Sequence, residues 1–289
     1  MNNKNLDLIS IIIPCFNSGK TIKRTIKSID NQTWVSKEII VVNDGSNEKD
    51  TLNVLQELKK VKVINQKNMG LPSARNNGVK NSMGNYLLFL DADDWLEPNA
   101  LEYMFKNLLD TKKPAFIFSD IKLEGDANNI VRKKYNFFEQ LFLNQLPYCI
   151  LISRANFNNI GGYDEQMKSG YEDWEFNIRL GKNNIYGRRL ELPLFHYSVN
   201  KSGMLISKSS KYHLKIWKYI KEKNKDLYAF KELLKLWLMW RKIPSNYPLL
   251  IYIFWLFLVN KFPDRFISNV FIFLRNSKWF FVRNKYFKN

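Results

Sequence analysis

Three aspartates that follow an apolar run near the middle of the chain are the residues best suited to do chemistry. Residues 86–90 predict a buried strand that leads into Asp91, Asp93 and Asp94. Because side chains alternate along a strand, Asp91 and Asp93 should point the same way, and convergent carboxylates repel each other unless a cation lies between them. Such ligands suit Mg²⁺ or Mn²⁺, which commonly bind carboxylates together with phosphates. The pattern therefore predicts a metal–diphosphate site, and a solvated acidic turn that caps the next helix is the alternative.

The elements that position these aspartates alternate between strand and helix patterns. Strands are predicted at 8–14, 38–43, 61–65 and 86–90, with helices between them at 21–31, 50–59 and 71–82. This alternation predicts an α/β fold, with a Rossmann-like, mostly parallel sheet that helices cover on both faces. Ligands bind outside the carboxyl ends of the strands in such sheets. Asn17, Asp44 and Asp91 each come just after a strand, so we expect them at one edge of the sheet.

The composition indicates a globular protein of a reducing compartment. With 289 residues and 45% hydrophobic content, the chain can bury a full core as one large domain with an appendage, or as two domains. Cys15 and Cys149 lie in apolar contexts without metal-ligand spacing, which predicts buried thiols rather than a disulfide. The first residues do not resemble a signal peptide, so a cytoplasmic location is expected.

Most of the net charge of +18 lies in the last third of the chain. Residues 201–289 contain 19 Lys/Arg and 4 Asp/Glu, interleaved with aromatic residues that include Trp279. A basic surface commonly binds nucleic acid or an anionic membrane. The apolar runs are shorter than the ~20 residues that span a bilayer, so residues 205–289 predict a helical module that lies on a membrane surface. A homo-oligomerisation surface, a re-entrant hairpin and a helical subdomain packed on the core are the alternatives.

Five ordered motifs lie within residues 8–200. They are SIIIPCFN at 10–17, VNDGS at 42–46, the stretch 68–78, DADD at 91–94, and GGYDE at 161–165 followed by GYEDW at 170–174. Together these motifs resemble family 2 glycosyltransferases with the GT-A fold. The resemblance implies an inverting, nucleotide-sugar-dependent enzyme whose catalytic domain is residues 1–204.

The resemblance implies roles for four residues at the nucleoside end of a donor site. The backbone around Pro14 and the ring of Phe16 would hold uracil, and stacking of a base on an aromatic ring contributes about 1–3 kcal/mol. Asp44 would accept the ring N–H of uracil, and Asn17 belongs to the same edge. Phe16 as an ordinary core residue and Asp44 as a turn or helix-capping residue are the alternatives.

Further residues are assigned to the diphosphate and the metal. Arg75 is expected to clamp phosphate oxygens, with an intradomain salt bridge as its alternative. The resemblance assigns Asp91 to the ribose and to metal-linked contacts, and Asp93 to the metal. Asp94 is expected to cap a helix that begins near residue 95. His196 is expected as a third metal ligand although its surroundings depart from the family's pattern, and an imidazole packed among aromatic residues is its alternative.

An acidic pair at the start of a helix predicted at 171–181 supplies the candidate base. Glu172 suits the helix dipole, which an N-terminal carboxylate stabilises by about 0.3–1 kcal/mol. The resemblance assigns Asp173 as the catalytic carboxylate, because an inverting transfer needs a base for the proton of the acceptor hydroxyl. Residues 122–146 match no motif, and we expect them to shape the acceptor site together with the C-terminal region.

These assignments predict a metal-dependent inverting glycosyltransferase that moves a sugar from a nucleotide-sugar, a UDP-sugar first of all. The expected acceptor is a hydroxyl of a glycan or lipid-linked molecule in bacterial surface polysaccharide or lipooligosaccharide synthesis, at the inner face of the cell membrane. A non-catalytic nucleotide-sugar-binding protein and a basic nucleic-acid-binding protein are the alternatives. The presence of both Asp93 and Asp173 argues against the first, and five motifs around an acidic site argue against the second.

Overall fold

The structure is a computed structural model that describes residues 7–199, 212–246 and 249–273. Its strands are β1 (Ile9–Cys15), β2 (Lys37–Asp44), β3 (Lys62–Gln66), β4 (Tyr86–Phe89), β5 (Trp95–Leu96), β6 (Ala115–Gly125), β7 (Ile130–Val131), β8 (Leu151–Ser153) and β9 (Tyr186–Val199). Its helices are α1 (Ile22–Asp30), α2 (Lys49–Glu57), α3 (Leu71–Lys80), α4 (Ala100–Leu109), α5 (Phe137–Gln140), α6 (Arg154–Asn159), α7 (Glu172–Lys182), α8 (His213–Lys223), α9 (Lys225–Tyr228), α10 (Phe230–Trp240) and α11 (Leu249–Lys261). Residues 264–273 are also helical.

The strands form one sheet in the order β3-β2-β1-β4-β8-β6-β9-β5, and β7 pairs with β6. Strands β3, β2, β1 and β4 are parallel, so their carboxyl ends share one edge. Beyond β4 the sheet is mixed, because β8 is antiparallel to both β4 and β6 whereas β6 and β9 are parallel. The predicted fold class is therefore confirmed, and the residues expected after β1, β2 and β4 lie at one edge.

Helix α3 is held close to the centre of the sheet. Strand β1 is buried along its whole length between β2 and β4. At Gly78 of α3, an added Cβ atom would lie only 2.4 Å from Cγ2 of Ile12 in β1. Glycine at this position therefore permits the close packing of α3, the helix that carries Arg75.

One local prediction is wrong, and one strand pairing was not predicted. Residues 95–96 form strand β5, which pairs with Phe195 and His196 of β9, and the next helix begins only at Ala100. Part of the polar stretch 122–134 forms a hairpin in which β7 pairs with β6. Each of these strands, β5 and β7, contains only two residues, which are too few to show a periodicity that would predict its pairing.

Two apolar cores flank the sheet. One includes Ile11 and Ile13 together with residues of α1 and α4. The other includes Ile12 and continues into the C-terminal helices through Trp217 and Leu233. The C-terminal region is thus helical, as predicted, and shares a core with the α/β fold. The predicted boundary at residue 204, and Trp279, lie outside the described residues.

The described helices include no segment that is both long and apolar enough to cross a membrane. The most apolar helix, α11, contains 13 residues. Cys15 and Cys149 are buried free thiols, as predicted.

Candidate active site

Arg75 joins the loop after β4 to the start of α7. Its side chain is fully buried, Nη2 donates to Asp91 Oδ1 at 2.9 Å, and Nη1 donates to Glu172 Oε1 at 2.7 Å. The rings of Tyr148 and Tyr163 lie with their centroids 5.0 Å and 5.2 Å from the guanidinium carbon, within cation–π range. Three of the five sequence motifs therefore meet at one guanidinium.

This position differs from the predicted diphosphate clamp. Arg75 is 0% exposed and both of its terminal nitrogens donate to carboxylates, whereas its Nε has no hydrogen-bond partner in the described part of the chain. Burial opposes its charge, but the neighbouring carboxylates of Asp91 and Glu172 hold the pKa of Arg75 well above its ordinary value. The structure shows the intradomain salt bridge, and a contact of Arg75 with phosphate stays a prediction. Arg75 positions two acidic segments relative to each other.

The loop after β4 brings Asp91 and Asp93 close enough to repel each other. One side of Asp93 is exposed to solvent and the other lies against protein. Desolvation on that inner side, together with the charge of Asp91, raises the pKa of Asp93 to about 6. Arg24 acts in the opposite direction, and its Nη2 donates to the Asp93 carbonyl oxygen at 2.6 Å. The repulsion is the condition that a divalent cation relieves.

Asp94 belongs to the framework of the site. It is 1% exposed, its Oδ1 accepts the backbone N–H of Ser198 at 2.7 Å, and its Oδ2 accepts the hydroxyl of Tyr148. Burial, followed by the charges of Asp93 and Asp91, raises the pKa of Asp94 well above its ordinary value. The predicted helix cap is wrong, because a strand follows Asp94 and its carboxyl group joins the loop to β9.

Helix α7 begins in an unusual backbone conformation. Gly170 and Tyr171 have φ angles of +97° and +61°, and the helix starts at the next residue, Glu172. A left-handed residue other than glycine is uncommon, and such residues are concentrated at functional sites. Glu172 is buried against Arg75, and burial, partly offset by Arg75, raises the pKa of Glu172.

Asp173 follows directly and remains partly exposed. Its Oδ2 accepts the side-chain amide of Asn144 at 2.8 Å, and its Oδ1 accepts the backbone N–H of Trp174 at 2.8 Å. Burial raises the pKa of Asp173 overall, while Arg75, Asn144 and Trp174 act in the lowering direction. A carboxylate with a raised pKa is better matched to accept a proton near neutral pH.

Pro14 and Phe16 lie at the carboxyl end of β1. Pro14 is buried opposite Val42 of β2, whereas the ring of Phe16 is 47% exposed. Phe16 is therefore not a core residue, and its ring is accessible for stacking. The contact with uracil stays a prediction.

Asn17 and Asp44 already hold loops together. Asn17 Oδ1 accepts the backbone N–H groups of Asn47 and Glu48, which ties the loop after β1 to the loop after β2. Asp44 Oδ1 accepts Gln66 Nε2 and the N–H of Met69, and its Oδ2 accepts the N–H of Gly70. The donor-binding roles of Asn17 and Asp44 stay predictions. Their observed hydrogen bonds hold the loops in place at this edge of the sheet.

His196 is placed in a separate buried cluster. Its Nδ1 lies 2.9 Å from Glu124 Oε1, and its Nε2 lies 2.7 Å from Glu97 Oε1. The ring is 0% exposed and stacks on Trp95 with 3.4 Å between ring centroids. A metal ligand needs an available ring nitrogen. The structure shows the packed imidazole, and a metal contact of His196 stays a prediction.

The carboxylates of Asp91 and Asp93 fit a metal ion only if a bound diphosphate supplies further ligands. In the described ranges, no group of three or more His, Cys, Asp or Glu side chains is arranged to hold an ion. Asp91 and Asp93 remain, with one oxygen of Asp91 paired to Arg75. Because Mg²⁺ is usually bound by one or two carboxylates plus phosphates, this pair fits such an ion together with a diphosphate.

Sequence reasoning missed four residues that shape the site. Tyr163 and Glu172 lie inside quoted motifs, so their positions were visible although their contacts with Arg75 were not. Tyr148 and Asn144 lie outside every motif, and only the tertiary structure brings them to Asp94 and Asp173.

Comparison with known proteins adds independent findings. The family model described as Glycosyl transferase family 2 matches residues 10–173. The chain is 36% identical over 189 residues to a chondroitin synthase of Escherichia coli, an alignment that covers 62% of this chain and 27% of that protein. It is 35% identical over 136 residues to a hyaluronan synthase of Pasteurella multocida, covering 46% of this chain and 14% of that protein. The chain thus matches less than a third of the length of these relatives.

Solved structures share the fold. The crystal structure of S. aureus TarS 1–349 in complex with UDP-GlcNAc matches with a TM-score of 0.62 at 15% identity, covering 86% of this chain and 70% of that chain. The structure of TarS 1–349 without a named ligand matches with a TM-score of 0.60 at 17% identity, covering 86% and 69%.

Proposed function

The chain belongs to glycosyl transferase family 2, and from this premise we propose that it is a metal-dependent, inverting glycosyltransferase that uses a UDP-sugar. The observation that carries the proposal is the bridge through Arg75. It joins Asp91, the first residue of the acidic loop, to Glu172, the residue before the candidate base Asp173. The Arg75 guanidinium thereby links the proposed donor-binding loop to the segment that carries the proposed base.

The donor is proposed to lie across the carboxyl ends of β1, β2 and β4. The exposed ring of Phe16, after β1, is suited to stack on a nucleobase. The aspartates after β4, the strand next to β1, would bind the diphosphate. The named complexes of TarS with UDP and with UDP-GlcNAc support a UDP-sugar as the donor class.

Asp91 and Asp93 are the residues that would hold Mg²⁺ or Mn²⁺. The ion would supply charge stabilisation to the departing diphosphate. Arg75 fixes the orientation of Asp91, and the N–H of Asp91 donates to the hydroxyl of Tyr148 at 2.9 Å. This support from both sides reduces the freedom of the loop before any ligand is bound.

Asp173 is proposed to accept the proton of the acceptor hydroxyl while that oxygen attacks the anomeric carbon. Its raised pKa makes it a stronger base than an ordinary aspartate. Asn144 holds one carboxylate oxygen in place, and the partial exposure of Asp173 leaves room for an acceptor. Glu172 is committed to Arg75 and is not offered for proton transfer.

The acceptor is proposed to be a glycan or lipid-linked hydroxyl in bacterial surface polysaccharide or lipooligosaccharide synthesis. Relatives named chondroitin synthase and hyaluronan synthase support a polysaccharide product. We place the enzyme in the cytoplasm at the inner membrane face, with an anionic membrane as a partner. A homo-oligomer remains the alternative use of its C-terminal region.

The test is a thermal-shift and transfer screen of the purified protein against UDP-, GDP- and dTDP-sugars, with and without Mn²⁺. A UDP-sugar should raise the unfolding temperature, and Mn²⁺ should increase that effect. If no nucleotide-sugar changes the unfolding temperature in any metal, the proposed donor site is wrong.

The base is tested by Asp173→Asn, with Asp50→Asn on the exposed surface of α2 as its matched control. Loss of a general base should lower kcat by about 10²–10⁴-fold while donor binding persists. The control should keep full activity. Donor binding without transfer in the unmodified protein would instead indicate the non-catalytic alternative.

A further inference from the structure

Exposed aromatic residues are concentrated on the C-terminal helices. Among the described residues, seven phenylalanines have large exposed surfaces, and Phe16 is the one that lies in the α/β fold. The other six are in α10, in α11 and in the residues that follow: Phe230, Phe254, Phe257, Phe262, Phe266 and Phe273, with exposures of 43–69%. Exposed apolar residues gathered in this way mark a surface that binds a partner.

Helix α11 has two apolar faces, and one of them is in contact with the core. Trp255, Leu256, Leu258 and Val259 are buried in the core that the C-terminal helices share with the sheet. Ile253, Phe254 and Phe257 lie on the opposite side of the helix and are 37–48% exposed. A helix that only completes a core would carry polar residues on this outer side.

Ring contacts join two pairs of these exposed phenylalanines. Phe230 at the start of α10 lies 6.0 Å from Phe257, centroid to centroid, and Phe262 stacks on Phe266 at 5.1 Å. We call Phe230, Ile253, Phe254, Phe257, Phe262 and Phe266 the phenylalanine surface.

Basic residues accompany the phenylalanine surface. Five of them form no ion pair with the described part of the chain: Lys231, Arg241, Lys242, Lys261 and Arg265. All five are exposed. Other lysines of the region are paired, such as Lys221 with Asp264 and Lys223 with Glu175. Exposed cations without an ion pair in the described part of the chain therefore occur on the same helices as the exposed phenylalanines, and also on α8 and α9 at Lys215, Lys218 and Lys225.

Exposed phenylalanine and isoleucine side chains together with unpaired cations favour one class of partner. Nucleic acid would be attracted by the charge, but it does not require a helix face of aliphatic and phenyl groups. A second copy would bring the same exposed cations, Lys231, Arg241, Lys242, Lys261 and Arg265, against each other, so like charges would repel. An anionic bilayer satisfies both features, because its acyl region takes the apolar side chains and its headgroups attract the cations.

We propose that the phenylalanine surface binds the protein to an anionic lipid bilayer, with α11 lying in the plane of the interface. This deepens the proposed cellular setting and does not depend on the proposed reaction. Binding to lipid is measured without any donor, so failure of one proposal is separable from failure of the other.

The test is co-sedimentation of the full-length protein with vesicles of equal parts phosphatidylglycerol and phosphatidylcholine, and with pure phosphatidylcholine. The protein should bind the anionic vesicles, and high salt should weaken binding because it screens the charges. The Phe254→Ser/Phe257→Ser variant should lose most of this binding. The matched control, Val35→Ser/Leu109→Ser, changes two exposed apolar residues of the α/β fold and should bind like the unmodified protein.

A second variant tests the charges without altering an apolar residue. Lys261→Gln/Arg265→Gln should weaken binding roughly thirtyfold, since each basic residue near an anionic surface contributes about 1 kcal/mol. Equal vesicle binding by the unmodified protein and by both variants would overturn the proposal. So would a dimer in lipid-free solution that the phenylalanine variant dissociates, because the surface would then be an interface between copies.

Discussion

Around Arg75, charged groups are buried and paired, whereas most cations on α10, on α11 and in the residues that follow are exposed and form no ion pair with the described part of the chain. The guanidinium lies between Asp91 and Glu172 with two tyrosine rings against it, so each charge has a fixed partner. On the C-terminal helices, Lys242, Lys261 and their neighbours face solvent. Buried charges demand exact partners because desolvation is costly, while exposed charges remain available to an external surface. The region around Arg75 therefore fixes the relative positions of site residues, whereas the C-terminal helices present charges that are free to contact a partner.

Removal of the central guanidinium should have the largest effect. Arg75→Met leaves the buried Glu172 and the partly buried Asp91 without their counter-charge, and breaking such a pair typically costs about 3–5 kcal/mol of unfolding free energy. Chemical denaturation measures this loss. Arg188→Met, which removes an exposed pair with Asp110, should change stability by less than about 1 kcal/mol and is the control. Equal small losses in both variants would mean that Arg75 does not organise the site.

Two leucines of α10 test whether the C-terminal helices unfold together with the sheet. Leu233 is fully buried in the shared core, and Leu238 is 47% exposed. Leu233→Ala should cost about 2–5 kcal/mol, whereas Leu238→Ala should stay within about 0.5 kcal/mol. A single cooperative transition should persist in both proteins. Two separate transitions in Leu233→Ala would show that the helices form an independent unit.

Tyr148→Phe isolates the contribution of one hydroxyl to the acidic loop. The change removes the donor to Asp94 and the acceptor of the Asp91 N–H while the ring against Arg75 remains. A buried group left without its partner costs about 1–3 kcal/mol. Tyr103→Phe on the surface of α4 is the control. Metal-dependent donor binding, measured by titration calorimetry, should weaken in Tyr148→Phe alone, and unchanged binding would contradict the support assigned to this hydroxyl.

Asn144→Ala should have the smallest effect, visible mainly as a shift in pH dependence. The Asn144 amide stabilises the ionised form of Asp173, so its loss should raise the pKa of Asp173 further. Because the base acts when deprotonated, the acid limb of the kcat–pH profile should move to higher pH. Asn53→Ala on the exposed side of α2 should leave the profile unchanged. A limb that stays in place, or moves to lower pH, would argue against Asp173 as the base.

Local patterns in the sequence were sufficient for most of the fold. The apolar runs that became β1, β2 and β4 and the periodic segments between them are repeated short-range signals, and residues such as Ile11–Ile13 can form little else. The same signals placed Asp91 just after a predicted strand and Asp173 near the start of a predicted helix. They also separated a nearly neutral region from a basic, aromatic one, since charge counts need no coordinates.

What only the tertiary structure decided were the partners of buried polar groups. Arg75 and His196 have the right chemistry for a phosphate or a metal, but each is enclosed by carboxylates from segments far away in the chain. Asp94 likewise finds Ser198 rather than a helix. A buried charge takes whichever counter-charge the fold brings within about 3 Å, and that choice depends on long-range packing, which local sequence does not encode.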